Sequence, residues 1–522
     1  MNPIIKITQL ILAVILLVVS HTEARPADER PNILFIMSDD HAIRAVSAYG
    51  NSLVETPNID RIAENGIRFD RAYVGNAICG PSRATLMTGL HSHANGFYSN
   101  EWSDPFNGHQ QTFPQLLKHA GYRTAVIGKW HLYSDPVGFD HWEVINNVFE
   151  QGTYYNAEFR SAAGVEETRG YVADIITDKA TDWLDSIHDS EQPFMLMFHH
   201  KTPHRDWMPA PEELKAWDEG ERVEEPDSLF RDLSETIRGR KEARMTISEY
   251  MTDKDVKLSK APYLDAEQLL MWKAAFAEGN RAFKETNLSE EEQIRWKYQR
   301  YIKTYIASVK GLDRQVGRML DYLEENDLIG NTIIVYTSDQ GFFLGENGWF
   351  DKRWMDEISS RVPLLMQWPG KIPPGTTTSS LVQNIDYAPT LLDAAGVELE
   401  SPVHGVSLLP LVMGESEKLE RDLYYHFYEN PGFHGVARHY GVRTERYKLV
   451  HYYENNEWEL FDLTTDPKDQ NNLYGKAGYD EIERDLKTRL NALRERYQVP
   501  DEDPSVPWYH GMVVRLLEWW IK

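Results

Sequence analysis

The chain has 522 residues and a single cysteine, Cys79. One cysteine excludes an intramolecular disulfide, so the hydrophobic core must stabilise the fold. The segment Cys79-Gly80-Pro81-Ser82-Arg83 predicts the start of a helix, where proline is tolerated. Free backbone N–H groups at such a start favour anions and lower thiol pKa values, which suits a reactive group that meets an anionic substrate. The alternative is that Cys79 is a small buried hydrophobic residue.

The sequence also lacks an apolar run long enough to span a membrane, which takes about 20 residues. The run Leu10–Val19 follows Lys6 and precedes Ala24, a pattern typical of a secretory signal peptide over residues 1–24. We therefore expect an exported protein, periplasmic or secreted, with no membrane association after signal cleavage.

Positive charge is scarce, because 55 basic residues stand against 81 acidic ones and the formal net charge is −26. This balance argues against nucleic acid and anionic membrane surfaces as partners. An anionic substrate would therefore need cationic side chains gathered at one place. The 41% hydrophobic and 12% aromatic content is enough for one large domain with a smaller one beside it.

Four short apolar runs are each followed by polar side chains. The runs cover residues 32–37, 124–127, 194–198 and 333–336. Continuous apolar runs of this length are typical of parallel strands buried on both faces. Helical patterns such as Thr56–Gly66 lie between them, which predicts an α/β fold with ligands beyond the carboxyl ends of its strands. We therefore expect the polar clusters to share one edge of the sheet.

The patterns divide the mature chain into two domains. Residues 30–410 form the predicted N-terminal catalytic domain, with a helical insertion or lid at about residues 209–326. Residues 411–522 contain four short strand patterns and the helical pattern Glu481–Tyr497, which predict a smaller α+β subdomain with an antiparallel sheet. We expect the aromatic tail Trp508–Trp520 to pack back onto the body.

Oxygen ligands follow the first and the last apolar run. Asp39 and Asp40 come after the first, and Asp339 and Gln340 after the last. Carboxylate and amide oxygens favour a hard divalent cation, Ca²⁺ or Mg²⁺, over zinc, which draws on histidine and thiolate. Two such pairs at predicted strand ends indicate a metal site.

Basic side chains are predicted at the same edge. They are Arg83, Lys129, His131, His204 and Lys352. Such a set can neutralise a tetrahedral oxyanion and supply a proton donor for a leaving oxygen. Each one alone is more simply structural, so it is their shared position that indicates a catalytic site.

Two segments, Cys79–Gly89 and Gly121–His131, resemble the two signatures of the type I sulfatases. The resemblance extends through Asp39-Asp40, Asp339-Gln340-Gly341 and Tyr447-Lys448-Leu449, and thus covers nearly the whole mature chain. It implies a sulfuric ester hydrolase with an alkaline-phosphatase-like α/β/α sandwich, built on a large mixed, mainly parallel sheet.

In that family the motif cysteine is oxidised to formylglycine by a separate maturation enzyme, and the aldehyde hydrate is the nucleophile. The resemblance implies that Cys79 carries this group and forms a covalent sulfo-enzyme intermediate. It also implies that one Ca²⁺ is bound by Asp39, Asp40, Cys79, Asp339 and Gln340. Gln340 departs from the more frequent asparagine, although both side chains offer an amide oxygen.

The resemblance also assigns roles to the basic residues. Arg83 and His131 would hold and activate the hydrated aldehyde. Lys129, His204 and Lys352 would bind the sulfate, and His204 would donate a proton to the leaving alcohol.

The segment Leu344–Met355 resembles N-acetylglucosamine-6-sulfatases and their bacterial relatives that act on polysaccharides. It implies removal of sulfate from the terminal sugar of a glycosaminoglycan or another sulfated glycan, and heparan-type, mucin and algal glycans all stay open as substrates. Trp349 and Trp354 are expected to stack on a sugar ring, unless both belong to the core. Asp351, Arg353 and His434 are expected to bind sugar hydroxyls or a neighbouring acid group.

Two other functions compete with this interpretation. One is a phosphonate or phosphate ester hydrolase of the same superfamily, and the presence of both sulfatase signatures favours sulfate over it. The other is a catalytically inactive secreted glycan-binding protein. No predicted catalytic position carries an inert residue, which disfavours it.

Overall fold

The computed structural model describes residues 30–50, 52–146 and 150–514. The predicted signal peptide and the end of the aromatic tail lie outside the described residues. Within the described ranges, no helix is both long and apolar enough to cross a membrane.

The strands of the described residues are short and are numbered in chain order. They are β1 Asn32–Ser38, β2 Ile67–Phe69, β3 Ala72–Tyr73, β4 Arg123–Gly128, β5 His141–Ile145, β6 Glu158–Ser161, β7 Gly164–Glu167, β8 Phe194–His199, β9 Thr332–Ser338, β10 Phe343–Leu344, β11 Phe350–Asp351, β12 Arg361–Val362, β13 Leu364–Gln367, β14 Thr376–Thr378, β15 Val382–Gln383, β16 Leu423–Phe427, β17 His439–Arg443, β18 Tyr447–Tyr452 and β19 Glu457–Asp462.

The α-helices of the same ranges differ widely in length. They are α1 Pro57–Glu64, α2 Cys79–Thr88, α3 Ser92–Asn95, α4 Phe113–His119, α5 Val172–Ser186, α6 Pro211–Lys215, α7 Arg238–Glu242, α8 Ala266–Glu285, α9 Glu290–Glu325, α10 Glu357–Ser360, α11 Tyr387–Ala395, α12 Leu409–Val412 and α13 Asp480–Arg496.

One large mixed sheet runs through the N-terminal part in the order β14-β2-β13-β9-β1-β8-β4-β5-β6-β7. Strands β9, β1, β8, β4 and β5 are neighbours and run parallel. Strands β1, β4, β8 and β9 correspond to the four apolar runs, so the prediction of buried parallel strands is confirmed. Their carboxyl ends lie at one edge of the sheet.

Helices cover both faces of this sheet. On β1, Ile33 and Phe35 point into a core shared with α2, α4 and α11. The alternate residues Leu34 and Ile36 point into a second core shared with α1, α5 and α9. Because successive strand residues face opposite sides, the unbroken apolar run of β1 fills both cores. The fold is therefore the predicted three-layer α/β/α sandwich.

The segment predicted as a helical insertion at residues 209–326 differs from that description. Helix α9 buries Leu312, Val316 and Leu320 in the core that it shares with the sheet, so it is a layer of the sandwich rather than a lid. Residues 216–265 contain only the short helix α7 and are otherwise irregular. A charged amphipathic pattern does not distinguish a lid helix from a helix that covers a sheet.

The C-terminal part forms the predicted antiparallel sheet, in the order β16-β17-β18-β19. Helix α13 packs on it through Leu486, Leu490 and Leu493. The described residues of the tail, 508–514, differ in burial. His510 is buried and its Nε2 lies 3.1 Å from the Pro431 carbonyl oxygen, whereas Trp508 is 89% exposed. Trp508 therefore departs from the expectation that the stretch Trp508–Trp520 packs onto the body, and the part of that stretch after residue 514 lies outside the described residues.

Candidate active site

Three buried carboxylates meet at the carboxyl edge of the sheet. Ser38 and Ser338 are register partners at the ends of β1 and β9, so the residues that follow leave the sheet side by side. Carboxylate oxygens of Asp39, Asp40 and Asp339 lie within 4.8 Å of one another, and all three residues are buried. Carboxylates this close repel one another unless positive charge compensates them.

Gln340 completes an oxygen-rich cluster. Its Nε2 donates to Asp40 Oδ1 and lies 3.4 Å from Cys79 Sγ, whereas its buried Oε1 accepts no hydrogen bond from the described residues. Burial and the charge of Asp39 raise the pKa of Asp339 to about 7. A set of carboxylates with an unsatisfied amide oxygen fits a hard cation such as Ca²⁺.

Each carboxylate also has a buried cationic partner. Lys129 Nζ contacts Asp39 Oδ2, and Lys352 Nζ lies 2.7 Å from Asp40 Oδ2. Arg83 donates to Asp339 Oδ2 through Nε at 3.0 Å and Nη2 at 2.9 Å. The predicted cationic residues and metal ligands therefore come together at one place.

These ion pairs decide the charge states. Burial opposes ionisation of Asp39, but the charges of Lys129, Arg83 and Lys352 hold the Asp39 pKa well below its usual range. Burial likewise opposes the charge on Lys352, and Asp40 outweighs it and raises the Lys352 pKa. Asp39 and Lys352 therefore stay ionised at neutral pH, whereas the raised pKa of Asp339 places that carboxyl near its titration point.

Cys79 is the first residue of α2 and is fully buried. Its Sγ lies 3.5 Å from Asp39 Oδ1. Burial raises the pKa of the thiol to about 12, although Lys129 and Lys352 oppose the shift. The expected lowering of the thiol pKa is therefore not found, because desolvation outweighs the charges of Lys129 and Lys352. A neutral thiol is a poor nucleophile.

Two histidines flank the cluster. His204 Nε2 lies 3.7 Å from Asp40 Oδ2, and its Nδ1 lies 2.6 Å from the Arg205 carbonyl oxygen. His131 Nδ1 is buried and bonds to no described residue. Burial, followed by the charge of Lys129, lowers the pKa of both imidazoles well below the usual value. Both rings are therefore neutral in this structure.

Four site residues have left-handed backbone conformations. Their φ angles are 64° for Asp40, 57° for His131, 87° for Asp351 and 94° for Arg353. Such conformations are costly for residues other than glycine and persist only where surrounding contacts impose them. The directions of these side chains are therefore set by the surrounding structure.

A second buried polar cluster contains the other predicted substrate ligands. Arg353 Nη1 contacts Asp351 Oδ1, and His434 Nε2 lies 3.2 Å from Asp351 Oδ2. Burial lowers the His434 pKa to about 4, so the ring is neutral. Asp351 is the last residue of β11 and directly precedes Lys352, so the chain joins this cluster to the cluster of Asp39, Asp40 and Asp339.

Trp349 and Trp354 do not fit the predicted sugar-stacking role. Both are 0% exposed, and their rings stack with centroids 5.2 Å apart. The Arg240 guanidinium lies over both rings, 5.8 Å and 5.0 Å from the two centroids. Neither ring has a free face for a sugar, so both tryptophans belong to the core.

The sequence patterns miss four polar residues that contact the site. Gln151 Oε1 accepts from Lys129 Nζ at 2.6 Å, and its Nε2 lies 3.1 Å from His131 Nε2. The others are Asn100, Tyr133 and Glu429. All four lie outside the segments Cys79–Gly89 and Gly121–His131. Only Tyr133, two residues after His131, has a sequence position that indicates a place in the site.

Two family models match the chain. The model described as "Sulfatase" matches residues 31–397, and the model described as "N-sulphoglucosamine sulphohydrolase, C-terminal" matches residues 345–496. The first match contains the large sheet and both polar clusters except His434.

Curated proteins and solved structures are similar over most of the chain. An N-acetylglucosamine-6-O-sulfatase from Bacteroides thetaiotaomicron is 44% identical, over 91% of this chain and 88% of the relative. An ulvan-active sulfatase from Formosa agariphila is 24% identical, over 94% of this chain and 86% of the relative. A solved structure in complex with its substrate D-glucosamine-2-N,6-O-disulfate is 44% identical, with a TM-score of 0.88 over 90% of this chain and 99% of the other.

Proposed function

Because this chain belongs to the sulfatase family and has its alkaline-phosphatase-like fold, we propose that it is an exported enzyme that removes the 6-O-sulfate from a terminal glucosamine-type sugar of a sulfated glycan. The observation that carries this proposal is the cluster around Cys79, where each of three buried carboxylates is paired with a buried cation. Such a cluster is suited to a tetrahedral anion whose charge grows during reaction.

Asp39, Asp40, Asp339 and Gln340 are the residues that would hold one Ca²⁺, together with the modified side chain of Cys79. A bound divalent cation stabilises negative charge on the oxygens of the ester. The unsatisfied Gln340 Oε1 supports this assignment, because it is an oxygen ligand without a donor. The raised pKa of Asp339 also supports it, because burial and the charge of Asp39 leave this carboxylate only partly compensated by Arg83.

We propose that a separate maturation enzyme oxidises Cys79 to formylglycine. The hydrated aldehyde supplies the nucleophilic hydroxyl, and its second hydroxyl allows sulfate to leave as the aldehyde re-forms. The raised pKa of the unmodified thiol supports this role, since a neutral thiol would be a weak nucleophile.

The cationic side chains orient the sulfate ester in this mechanism. Lys129, Lys352 and Arg83 provide donors around the site. The negative charge of a bound sulfate ester would also raise the pKa of His204 towards the range where it donates a proton to the leaving alcohol. His131 Nδ1 has no partner among the described residues, and we assign it to proton transfer with the nucleophile.

The cluster of Asp351, Arg353 and His434 is the proposed site for sugar hydroxyls. A carboxylate, a guanidinium and a neutral imidazole together supply acceptors and donors of fixed direction. The similarity to the N-acetylglucosamine-6-O-sulfatase and to the glucosamine disulfate complex supports a glucosamine-type sugar. A pocket built for one terminal sugar would make the enzyme exo-acting.

Sulfate release from a panel of defined substrates tests the proposal. The panel contains glucosamine, N-acetylglucosamine and galactose 6-O-sulfates, a sulfated tetrasaccharide, an aryl phosphate and a phosphonate monoester, with Cys79→Ala as the inactive control. We expect the highest kcat/KM on the two glucosamine-type sulfates, and release from one end of the tetrasaccharide. Faster turnover of the phosphorus esters would contradict the proposal, and failure on every sulfate ester would favour a glycan-binding protein.

Export is proposed from the signal-peptide pattern of residues 1–24. Expression of the full chain and of a chain without residues 1–24, followed by fractionation, tests it. We expect the full chain outside the cytoplasm and the shortened chain inside it. The full chain in the cytoplasm would contradict the proposal.

A further inference from the structure

We propose that Asn100 is a positioning residue that fixes the nucleophile segment, His131 and Arg353 relative to one another, which rests on the proposed role of Cys79. Three different polar groups of Asn100 each bond to a different part of the site. Asn100 lies in the irregular segment after α3 and belongs to neither polar cluster.

The side chain of Asn100 bonds to the residue after the nucleophile. Asn100 Oδ1 accepts a hydrogen bond from Gly80 N at 2.9 Å. Gly80 is the second residue of α2, and the residue before the helix, Ile78, makes no side-chain capping bond. The first amides of a helix have no intrahelical partner, so Asn100 serves as a distant cap for the helix that carries Cys79.

Gly80 packs closely against both Asn100 and Phe97. A Cβ atom at Gly80 would lie 2.8 Å from Asn100 Oδ1 and 2.5 Å from a ring carbon of Phe97. The backbone of α2 therefore approaches the segment of Phe97 and Asn100 more closely than a residue with a side chain would allow. The position of the Cys79 backbone is therefore set by the segment that contains Asn100.

The backbone carbonyl of Asn100 holds the partner of His131. The Tyr133 hydroxyl donates to Asn100 O at 3.0 Å, and the same hydroxyl lies 3.1 Å from His131 Nε2. A hydrogen bond to a fixed carbonyl orients the hydroxyl towards the imidazole. His131 is thus located relative to the same residue that caps α2.

The backbone N–H of Asn100 fixes the carboxylate that faces Arg353. Asn100 N and Ser99 Oγ both donate to Glu429 Oε2 at 2.8 Å. Glu429 Oε1 lies 3.5 Å from Arg353 Nε. Two hydrogen bonds to one buried carboxyl oxygen restrict its position, so this arrangement holds Glu429 in place beside the arginine.

Only one of these three bonds uses the side chain of Asn100, which makes its effect separable. Asn100→Ala removes the cap on Gly80 N and leaves the bonds to Tyr133 and Glu429. A positioning role therefore predicts a loss in the chemical step on any sulfate ester. A merely structural role predicts lower stability and normal kcat in the folded enzyme.

The experiment measures kcat and KM on 4-nitrophenyl sulfate and on glucosamine 6-O-sulfate, well below Tm, with the aldehyde content of each variant determined by peptide mass. For Asn100→Ala we expect kcat to fall about tenfold on both substrates, equivalent to about 1.4 kcal/mol, with KM little changed. Asn100→Asp keeps an oxygen acceptor and should restore most of kcat. Asn107→Ala is the matched control, because Asn107 Oδ1 also accepts a backbone N–H, from His109, but contacts neither cluster.

If Asn100→Ala does not fold, Tyr133→Phe tests the link from the Asn100 carbonyl to His131 without changing Asn100. It should lower kcat on both substrates and shift the pH dependence of kcat, because the hydroxyl beside His131 is lost. Unchanged kcat in folded, aldehyde-bearing Asn100→Ala, or unchanged kcat and pH dependence in Tyr133→Phe, would overturn the inference. Fully active wild-type enzyme without aldehyde would instead overturn the proposed nucleophile.

Discussion

Replacement of Lys352 by alanine is expected to cost both activity and stability. Lys352 Nζ and Asp40 Oδ2 are 2.7 Å apart, and their side chains are 3% and 0% exposed. Loss of one partner of a buried ion pair typically costs 3–5 kcal/mol, and we expect about 3 kcal/mol because Gln340 still donates to Asp40 Oδ1. Loss of one preorganised donor to the reacting anion typically lowers kcat by about 10² to 10³.

The two effects are separated by temperature and by controls. Sulfate release from glucosamine 6-O-sulfate is measured well below the Tm of the variant, and Tm is measured by differential scanning fluorimetry. Lys352→Arg keeps the charge, so its Tm should stay near that of wild type. Its kcat should still fall, because a guanidinium does not reproduce the position of the ammonium. Lys371→Ala, at an exposed lysine, should change neither quantity. Normal kcat in Lys352→Ala would refute the role of Lys352 in binding the sulfate.

Three further predictions concern other parts of the molecule. Burial and the neighbouring Glu101 raise the Glu429 pKa to about 7 from an ordinary value near 4.5, so the stability it contributes is present below pH 4.5 and is lost as pH rises through 7. At pH 8, Glu429→Gln should therefore have a free energy of unfolding that is higher than that of wild type by no more than about 3 kcal/mol, and so a higher Tm. The difference should vanish near pH 4.5, and equal Tm at pH 8 would contradict this. Trp349→Phe should lower Tm and leave KM for the sulfated sugar within about twofold, since its ring is buried, whereas a large rise in KM at normal Tm would restore the stacking role. Treatment with EGTA should lower both activity and Tm, and the free energy of unfolding should fall by up to about 4 kcal/mol for a cation present at a thousand times its Kd. Added Ca²⁺ should restore both, and full activity in EGTA would exclude a required Ca²⁺.

The central sheet could be predicted because its strands are buried on both faces. The runs at residues 32–37 and 333–336 have no polar interruption, and the polar residues that follow them mark the strand ends. Parallel pairing then brings Asp39 and Asp339 together, as the register of Ser38 with Ser338 requires. Local sequence and topology therefore agree at this edge.

Burial of individual side chains could not be predicted in the same way. Trp349 lies two residues before Asp351, a proposed sugar-binding residue, but its ring points into the core under Arg240. The thiol of Cys79 has a raised pKa because desolvation outweighs the charges of Lys129 and Lys352, and the degree of desolvation depends on the packing of distant segments. The charged pattern of α9 describes its solvent face and says nothing about the sheet that it covers.

The supporting residues of the site escape prediction for another reason. Asn100, Glu429 and Gln151 lie in irregular segments, and the site residues they contact lie at least 20 positions away in sequence. The bond from Asn100 N to Glu429 joins segments 329 positions apart. Such contacts arise from the completed fold, and no local pattern encodes them.

The mass of the tryptic peptide Ala72–Arg83 from active wild-type enzyme tests the central claim most directly. The peptide contains Cys79 and begins after Arg71, so one cleavage product reports the chemical form of the residue. We predict that it carries an aldehyde in place of the thiol, and that the fraction converted is proportional to the sulfate ester hydrolase activity. Fully active enzyme with an unmodified thiol at Cys79 would contradict the account.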